Sequence, residues 1–393
     1  MFARIPRARG TRFIGTVKIS VAARRLQQSL VRAAAALQRP SDTGPLRGAV
    51  ATAAEIVRAT ARGTVVDVAT ATTVEVPAPW CDAGGLPASL ARPETLSFPA
   101  TYATALPDVL LLEGEGYVIA GGRLVLDLSP QIGRDARDHA ALLRWRRPPP
   151  VRLDAPALVL TGIDLRNHYH WLFDALPRHD IVARSGLRWR KVIAPSATSA
   201  QRACLARLRI DPAALVAPPW EGQYRMREAL LGSFASLPEA PGPAAVDTLR
   251  RLFADCLRRD ATLPARVFVS RRDAPRRRLV NDAAVRAFLE SRGFAVLALE
   301  TMTLDDQARA FANAEIVVAP HGAGLANLAF ARPGTRIVEL MSDGYPSPLF
   351  RRLSALVEAP YACVLDGRQR VPWGVRARDR DFQIDVGALA RVI

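Results

Sequence analysis

Glu315 to Leu340 reads EIVVAPHGAGLANLAFARPGTRIVEL. Its apolar run, Ile316-Val317-Val318-Ala319, has the length and β-branched content of a strand buried on both faces of a parallel sheet. Pro320-His321-Gly322-Ala323-Gly324 turns sharply. Leu325 to Phe330 then reads as a helix, Pro333-Gly334 breaks it, and Arg336-Ile337-Val338-Glu339-Leu340 predicts the next strand. A glycine-rich turn between strand and helix lets backbone N–H groups close on a phosphate, and the helix N-terminus adds partial positive charge. His321, at the carboxyl end of the strand, adds a hydrogen-bond donor for the same anion. A tight strand–helix turn with no ligand stays open beside that reading. Asn327 stands where a dinucleotide fingerprint has its third glycine.

Upstream, Ala244 to Arg259 reads as a helix and Arg266 to Ser270 as a strand. Arg271, Arg272, Arg276, Arg277 and Arg278 fill the loop behind that strand. Asn281 is placed to cap a helix that Gly293 stops, Ala295 to Leu299 is the next strand, and Thr303 opens a helix ending near Ala314. The order β-α-β-α-β-α-β predicts a doubly wound parallel sheet, whose ligands bind beyond the carboxyl ends of the strands. The arginine loop and His321 therefore share one edge.

A second chemical signal lies in the first half. After a strand at Ala157–Leu160 comes Asn167-His168-Tyr169-His170-Trp171-Leu172-Phe173-Asp174-Ala175-Leu176-Pro177-Arg178. Three of the five histidines of the chain fall between His168 and His179. With Asn167 capping a helix, His170 and Asp174 share one face while Trp171 and Leu172 point to the core. That spacing suits a carboxylate orienting an imidazole base, or a carboxylate base with a tuning neighbour. His168 and His170 do not share a helical face, so the segment predicts no zinc site.

Composition sets the frame. The 393 residues, 49% hydrophobic and 23% charged, suit a soluble globular protein long enough for two domains. The net charge of +17 is carried almost wholly by arginine and is uneven. Residues 1–62 hold twelve Arg or Lys against Asp42 and Glu55, which places ten of the net charges there. Val21, Leu26, Leu30 and Leu37 fall near one helical face of that segment. It reads as a basic arm, either solvated or in peripheral contact with an anionic membrane. Residues 63 to about 130 are strand-rich with glycine turns, and 187–235 alternate strand and helix. The Pro-rich stretch 238–243 is the best linker. The expected divisions are 1–62, an arm; 63–237, an acceptor-side domain; 244–365, a nucleotide-binding domain; and 366–393, a tail. Cys81, Cys204, Cys256 and Cys363 are far apart, predicting neither a zinc site nor a disulfide framework. No stretch has the apolar length of a membrane span or the h-region of a secretory signal, so a cytoplasmic protein is expected, with contact at the inner face of the membrane through the arm.

The block Asn167 to Arg178, the strand end Ser270-Arg271 with Arg278 and Asn281, and the run H-G-A-G-L-x-N-x-x-F-x-x-P-G followed by I-V-E-L together resemble the family 61 glycosyltransferases. That family includes capsular-polysaccharide-type bacterial enzymes. The resemblance covers about residues 100–345 and departs at Asp174, where many members carry glutamate. It implies an α/β fold of GT-B type, with two Rossmann-like domains facing a cleft. It also implies an inverting, metal-independent transfer from a nucleotide-sugar donor to a glycan or other hydroxyl acceptor. The donor is then expected on His321, Gly322, Ala323, Gly324 and Asn327, with Arg271 or Arg278 opposite. Glu339 is placed either to accept ribose hydroxyls or as a surface acid. His170 or Asp174 is the base, and no cofactor is needed beyond the nucleotide-sugar co-substrate. Asp379-Arg380-Asp381 is read as surface charge. Two other classes remain at this point. The charge motivates a basic nucleic-acid-binding protein, and the sheet motivates a Rossmann-type oxidoreductase.

Overall fold

The computed structural model describes residues 30, 50–80, 85–112, 116–129, 141, 149–162, 164–216, 222–272, 274, 276–367 and 376–393. The basic arm up to residue 49, apart from Leu30, and Cys81 lie outside the described residues.

Two large sheets organise the chain. The first contains ten strands. They are β1 (Val50–Ala51), β2 (Thr64–Ala69), β5 (Thr101–Leu112), β6 (Tyr117–Ala120), β7 (Arg123–Val125), β8 (Val151–Leu153), β9 (Ala157–Val159), β10 (Lys191–Ile193), β11 (Leu215–Val216) and β12 (Gln223–Gly232). β3 (Thr72–Val76) and β4 (Glu94–Phe98) form a separate hairpin. The first half therefore departs from a purely parallel, doubly wound sheet. β9, β10 and β11 are parallel, but β12 runs antiparallel along most of β5. The strand-rich lead-in is half of the same sheet. The physical reason is β5 itself, a twelve-residue strand with Leu106, Val109, Leu110, Leu111 and Leu112 all buried, which needs cover on both faces.

The second sheet has five parallel strands in the order β14-β13-β15-β16-β17. These are β13 (Arg266–Val269), β14 (Ala295–Leu297), β15 (Ile316–Pro320), β16 (Arg336–Met341) and β17 (Tyr361–Leu365). Strand direction of travel reverses between β13 and β15, so their carboxyl ends flank the crevice where such sheets bind ligands. Alternate residues face opposite cores. Val267, Val269, Val317, Ala319 and Ile337 join a core shared with the first sheet. Phe268, Ile316, Val318, Val338 and Leu340 face an outer core.

Two expected boundaries move. Residues 50–60 are not part of an arm: β1 pairs with β7, and helix α1 (Ala53–Thr60) buries Ile56 completely. Residues 376–393 are not a tail. Phe382, Ile384, Leu389 and Val392 close the outer core, each burial stabilising by roughly 1.5–3 kcal/mol. Asp379-Arg380-Asp381 is correspondingly not loose surface charge. Arg380 is buried against Asp343 and Asp366, while Asp379 and Asp381 pair with Arg276 and Arg278.

Among the described residues no strand pairing joins the two sheets, and the chain passes between them from Gly232 to Arg266 through the Pro-rich stretch. They are nevertheless packed together. Arg351, fully buried on the helix Leu349–Leu356, donates to the carbonyls of Pro77, Ser89 and Arg92 beside the β3–β4 hairpin, and also to Glu94. Arg207 bridges from the first half to Asp305 in the second.

Candidate active site

The His-rich segment forms one bent helix, α2. It opens at His168–His170, passes a π turn at Trp171–Ala175, and continues as Leu176–Arg184. Asn167 caps it as expected, its side chain accepting from Tyr169 N at 3.0 Å. Pro177 explains the π turn. It has no N–H to give Phe173 O, four residues back, and its ring would clash there. Ser236 Oγ donates to that freed carbonyl. Trp171 and Leu172 are buried in the core. Arg178 fixes the helix from within: its buried guanidinium donates to the carbonyls of Gly232, Thr161 and Leu128. Burial pushes it down to about 10, still cationic at neutral pH, and Asp174 acts the other way.

His170 Nδ1 lies 2.7 Å from Asp174 Oδ2, with both side chains about a quarter exposed. The carboxylate thus takes one ring nitrogen and leaves Nε2 as the other polar atom. Burial disfavours the charged ring, but the Asp174 hydrogen bond and charge, with Asp164, outweigh it and hold His170 above its ordinary value.

At the carboxyl end of β15 a second imidazole–carboxylate pair appears. His321 Nδ1 is 2.5 Å from Glu339 Oε1, and Glu339 Oε2 accepts from Tyr361 O–H at 2.7 Å. Both earlier placements of Glu339 are therefore corrected. It sits inside β16, with none of its surface exposed, and its two oxygens are already engaged. A β-strand residue facing the shared core cannot reach a ribose beyond the strand ends. The two pairs share one aromatic cluster. Tyr169 lies edge-on to His170 at 5.5 Å and to Phe350 at 6.3 Å, and Phe350 in turn lies 5.3 Å from His321.

The turn is built for close approach. A Cβ on Gly322 would collide with the Arg271 guanidinium, so only glycine lets Arg271 lie on the backbone there. Arg271 has no carboxylate partner among the described residues, and its Nε is buried without a hydrogen bond. Burial, with the charge of Arg277, lowers it to about 10. Arg277 is similar: burial lowers it, its Nε is unpaired, and its guanidinium lies over Tyr345, which itself packs edge-on to His321. Both are half-buried cations that burial disfavours, the chemistry that suits an anionic partner. Arg278, by contrast, is exposed and committed to Asp381. Asn281 does not cap its helix but exchanges hydrogen bonds with the Ile384 backbone.

Ala323 and Gly324 begin the short 3-10 helix Ala323–Phe330. Asn327, fully buried within it, donates to Gln307 instead of reaching the turn. The sequence reading left Arg277 undistinguished within its five-arginine loop and missed Tyr345. Only the pairings of Arg276 with Asp379 and of Arg278 with Asp381, each 103 residues away, separate the ion-paired arginines from Arg271 and Arg277. Asp255, Cys256 and Asp305 are close enough to hold a metal ion, but Arg207 fills that group, bonding both carboxylates and the thiol sulfur. Cys204, Cys256 and Cys363 are buried free thiols.

Residues 168–338 match the family model described as Glycosyltransferase 61. This part of the chain belongs to glycosyltransferase family 61. The family 61 match begins at His168, takes in His170 and Asp174, Arg271 and the turn at Gly322, and stops just short of Glu339. Its family implies transfer of a sugar from a donor to an acceptor. No curated protein matches the chain significantly. No helix among the described residues is long and apolar enough to cross a membrane.

Proposed function

We propose that the protein is an inverting glycosyltransferase of GT-B type that uses a nucleotide-sugar donor. The observation carrying this is Arg271, a half-buried guanidinium laid on Gly322 at the strand-order reversal, with Arg277 half-buried over Tyr345; neither has a carboxylate partner among the described residues. A donor diphosphate supplies the missing negative charge, and the turn supplies backbone N–H groups. The acceptor comes from the side of the first sheet, the unit around 50–237. Residues 244–393 hold the donor.

In the reaction the acceptor hydroxyl oxygen attacks the anomeric carbon, and the bond from that carbon to the diphosphate oxygen breaks. The hydroxyl proton passes to His170 Nε2, with Asp174 balancing the imidazolium charge. Asp174 as the base is the alternative assignment. The leaving negative charge falls on the phosphate held by Arg271 and Arg277. A single displacement inverts the anomeric centre. By the resemblance to family 61 the reading extends to bacterial surface-polysaccharide synthesis, and the excess of basic residues in the N-terminal sequence supports contact with anionic lipid at the inner face of the membrane. The family match gives no support to nucleic-acid binding or to nicotinamide chemistry.

Titration calorimetry with nucleoside diphosphates tests the donor site. Arg271→Ala is expected to weaken the cognate diphosphate by about 1.5–3 kcal/mol, the scale of a charge-assisted hydrogen bond. Arg278→Ala is expected to leave it unchanged. Equal losses in both variants would reject the assignment.

Because guanidinium groups carry the leaving charge, donor turnover is expected to persist in EDTA. Activity abolished by the chelator and restored by Mn²⁺ or Mg²⁺ would place a metal ion in that role instead.

A further inference from the structure

A cleft of about 570 Å³ opens beside the Gly-rich turn, on the β14 side. Ala200 and Ala203, from the helix Ser199–Arg207 of the first half, form one wall. The turn that follows β14, from Leu299 to Met302, forms the other, and Gly324 and His168 complete it. We propose that this cleft takes the nucleoside of the donor, with Glu300 accepting the ribose hydroxyls. The inference rests on the donor reading above.

Topology places the ligand first. With the diphosphate at the carboxyl ends of β13 and β15, the rest of a nucleotide extends over a neighbouring strand end, and β14 is β13's other neighbour. In dinucleotide-binding sheets an acid at the end of the second strand takes the ribose. β14 is the second strand of this sheet in chain order, and Glu300 lies in the exposed turn directly after it. That is the position Glu339 cannot fill.

The walls fit an uncharged ring. Among the described residues no arginine or lysine lines the cleft, while Ala200, Ala203, Leu299 and Met302 give apolar surface for the faces of a base. The wall is also held in place. Gln307 Nε2 donates to Leu299 O at 2.8 Å and Met302 O at 3.3 Å. A Cβ on Gly324 would come 2.8 Å from Leu299 Cδ1, so the turn and the wall touch. His168 lines the cleft, and its buried Nε2 completes no hydrogen bond of good geometry. Burial lowers its pKa, and the Asn327 side chain acts the other way as a partner. A base in the cleft can give that nitrogen a better-placed polar partner.

The test is calorimetry on the full chain with UDP, CDP, ADP, GDP and inorganic pyrophosphate. One nucleoside diphosphate is expected to bind more tightly than pyrophosphate. Ala200→Trp, which fills the cleft, should weaken that nucleotide tenfold or more and leave pyrophosphate unchanged. Glu300→Ala should do the same in smaller measure, and Arg271→Ala should weaken both ligands. If Ala200→Trp also loses pyrophosphate, the substitution has disturbed the fold. Ser199→Trp, from the exposed rim, then decides by the same criterion. Wild-type nucleotide affinity in the tryptophan variants overturns the cleft assignment and leaves the diphosphate site standing. Failure of the wild type to bind any of the four nucleotides overturns the donor reading and this inference with it.

Discussion

His170→Ala is expected to lower kcat by roughly 10²–10⁴-fold, the range for losing a general base, with donor affinity little changed. On the proposed reading β13 and β15 hold the donor, so the base is expected on the acceptor's side. His170 is fixed there by the 2.7 Å contact to Asp174 and by the capped, π-bent helix that carries both. The pH dependence follows from the sign of its shift. His170 is held above its ordinary value of 6.5, so its proton-accepting form is present above that raised value and disappears as pH falls through it. The acid limb of kcat/KM should therefore lie above 6.5. Asp174→Asn removes the charge that raises it, so the limb should move to lower pH while kcat falls less than in His170→Ala. If Asp174→Asn is instead the more damaging change and the limb vanishes, the carboxylate is the base. Near-normal kcat in both variants would make the segment structural.

The second sheet was legible in the sequence because its signals are local. A parallel sheet covered on both faces writes itself as continuous apolar runs, and Ile316–Ala319 and Ile337–Val338 do so. The cap at Asn167 and the i, i+4 pairing of His170 with Asp174 are local too. What was illegible depends on partners far along the chain. β5 and β12 pair although more than a hundred residues separate them, so the first sheet's mixed character could not be read from either strand. Arg278 and Arg271 look alike until Asp381 returns to claim one of them. Glu339 sits in the motif I-V-E-L, where alternation alone cannot say which face of a doubly covered strand is wet. The C-terminal residues looked like a tail because Phe382, Ile384, Leu389 and Val392 are spaced for an irregular cover, with only Val386–Ala390 helical.

Glu339→Ala is expected to destabilise the protein by roughly 3–5 kcal/mol, as for removal of one partner from a buried pair. Two donors would be stranded in the core. His321 Nδ1 loses its acceptor, and so does the Tyr361 hydroxyl. Tyr361 cannot adapt by ionising, because its burial, which the substitution leaves in place, holds it well above its ordinary value. A cavity is added where the side chain stood. Thermal and urea unfolding should both report the loss. Glu339→Gln separates packing from charge. Its amide oxygen can still accept from His321, and the Tyr361 hydroxyl can turn to accept from its NH₂, so stability should fall much less. Donor binding should nevertheless weaken. The carboxylate fixes the His321 ring through Nδ1, and an amide, which also carries an NH₂ donor, holds that orientation less firmly. A Gln variant with wild-type donor affinity would leave Glu339 a purely structural acid.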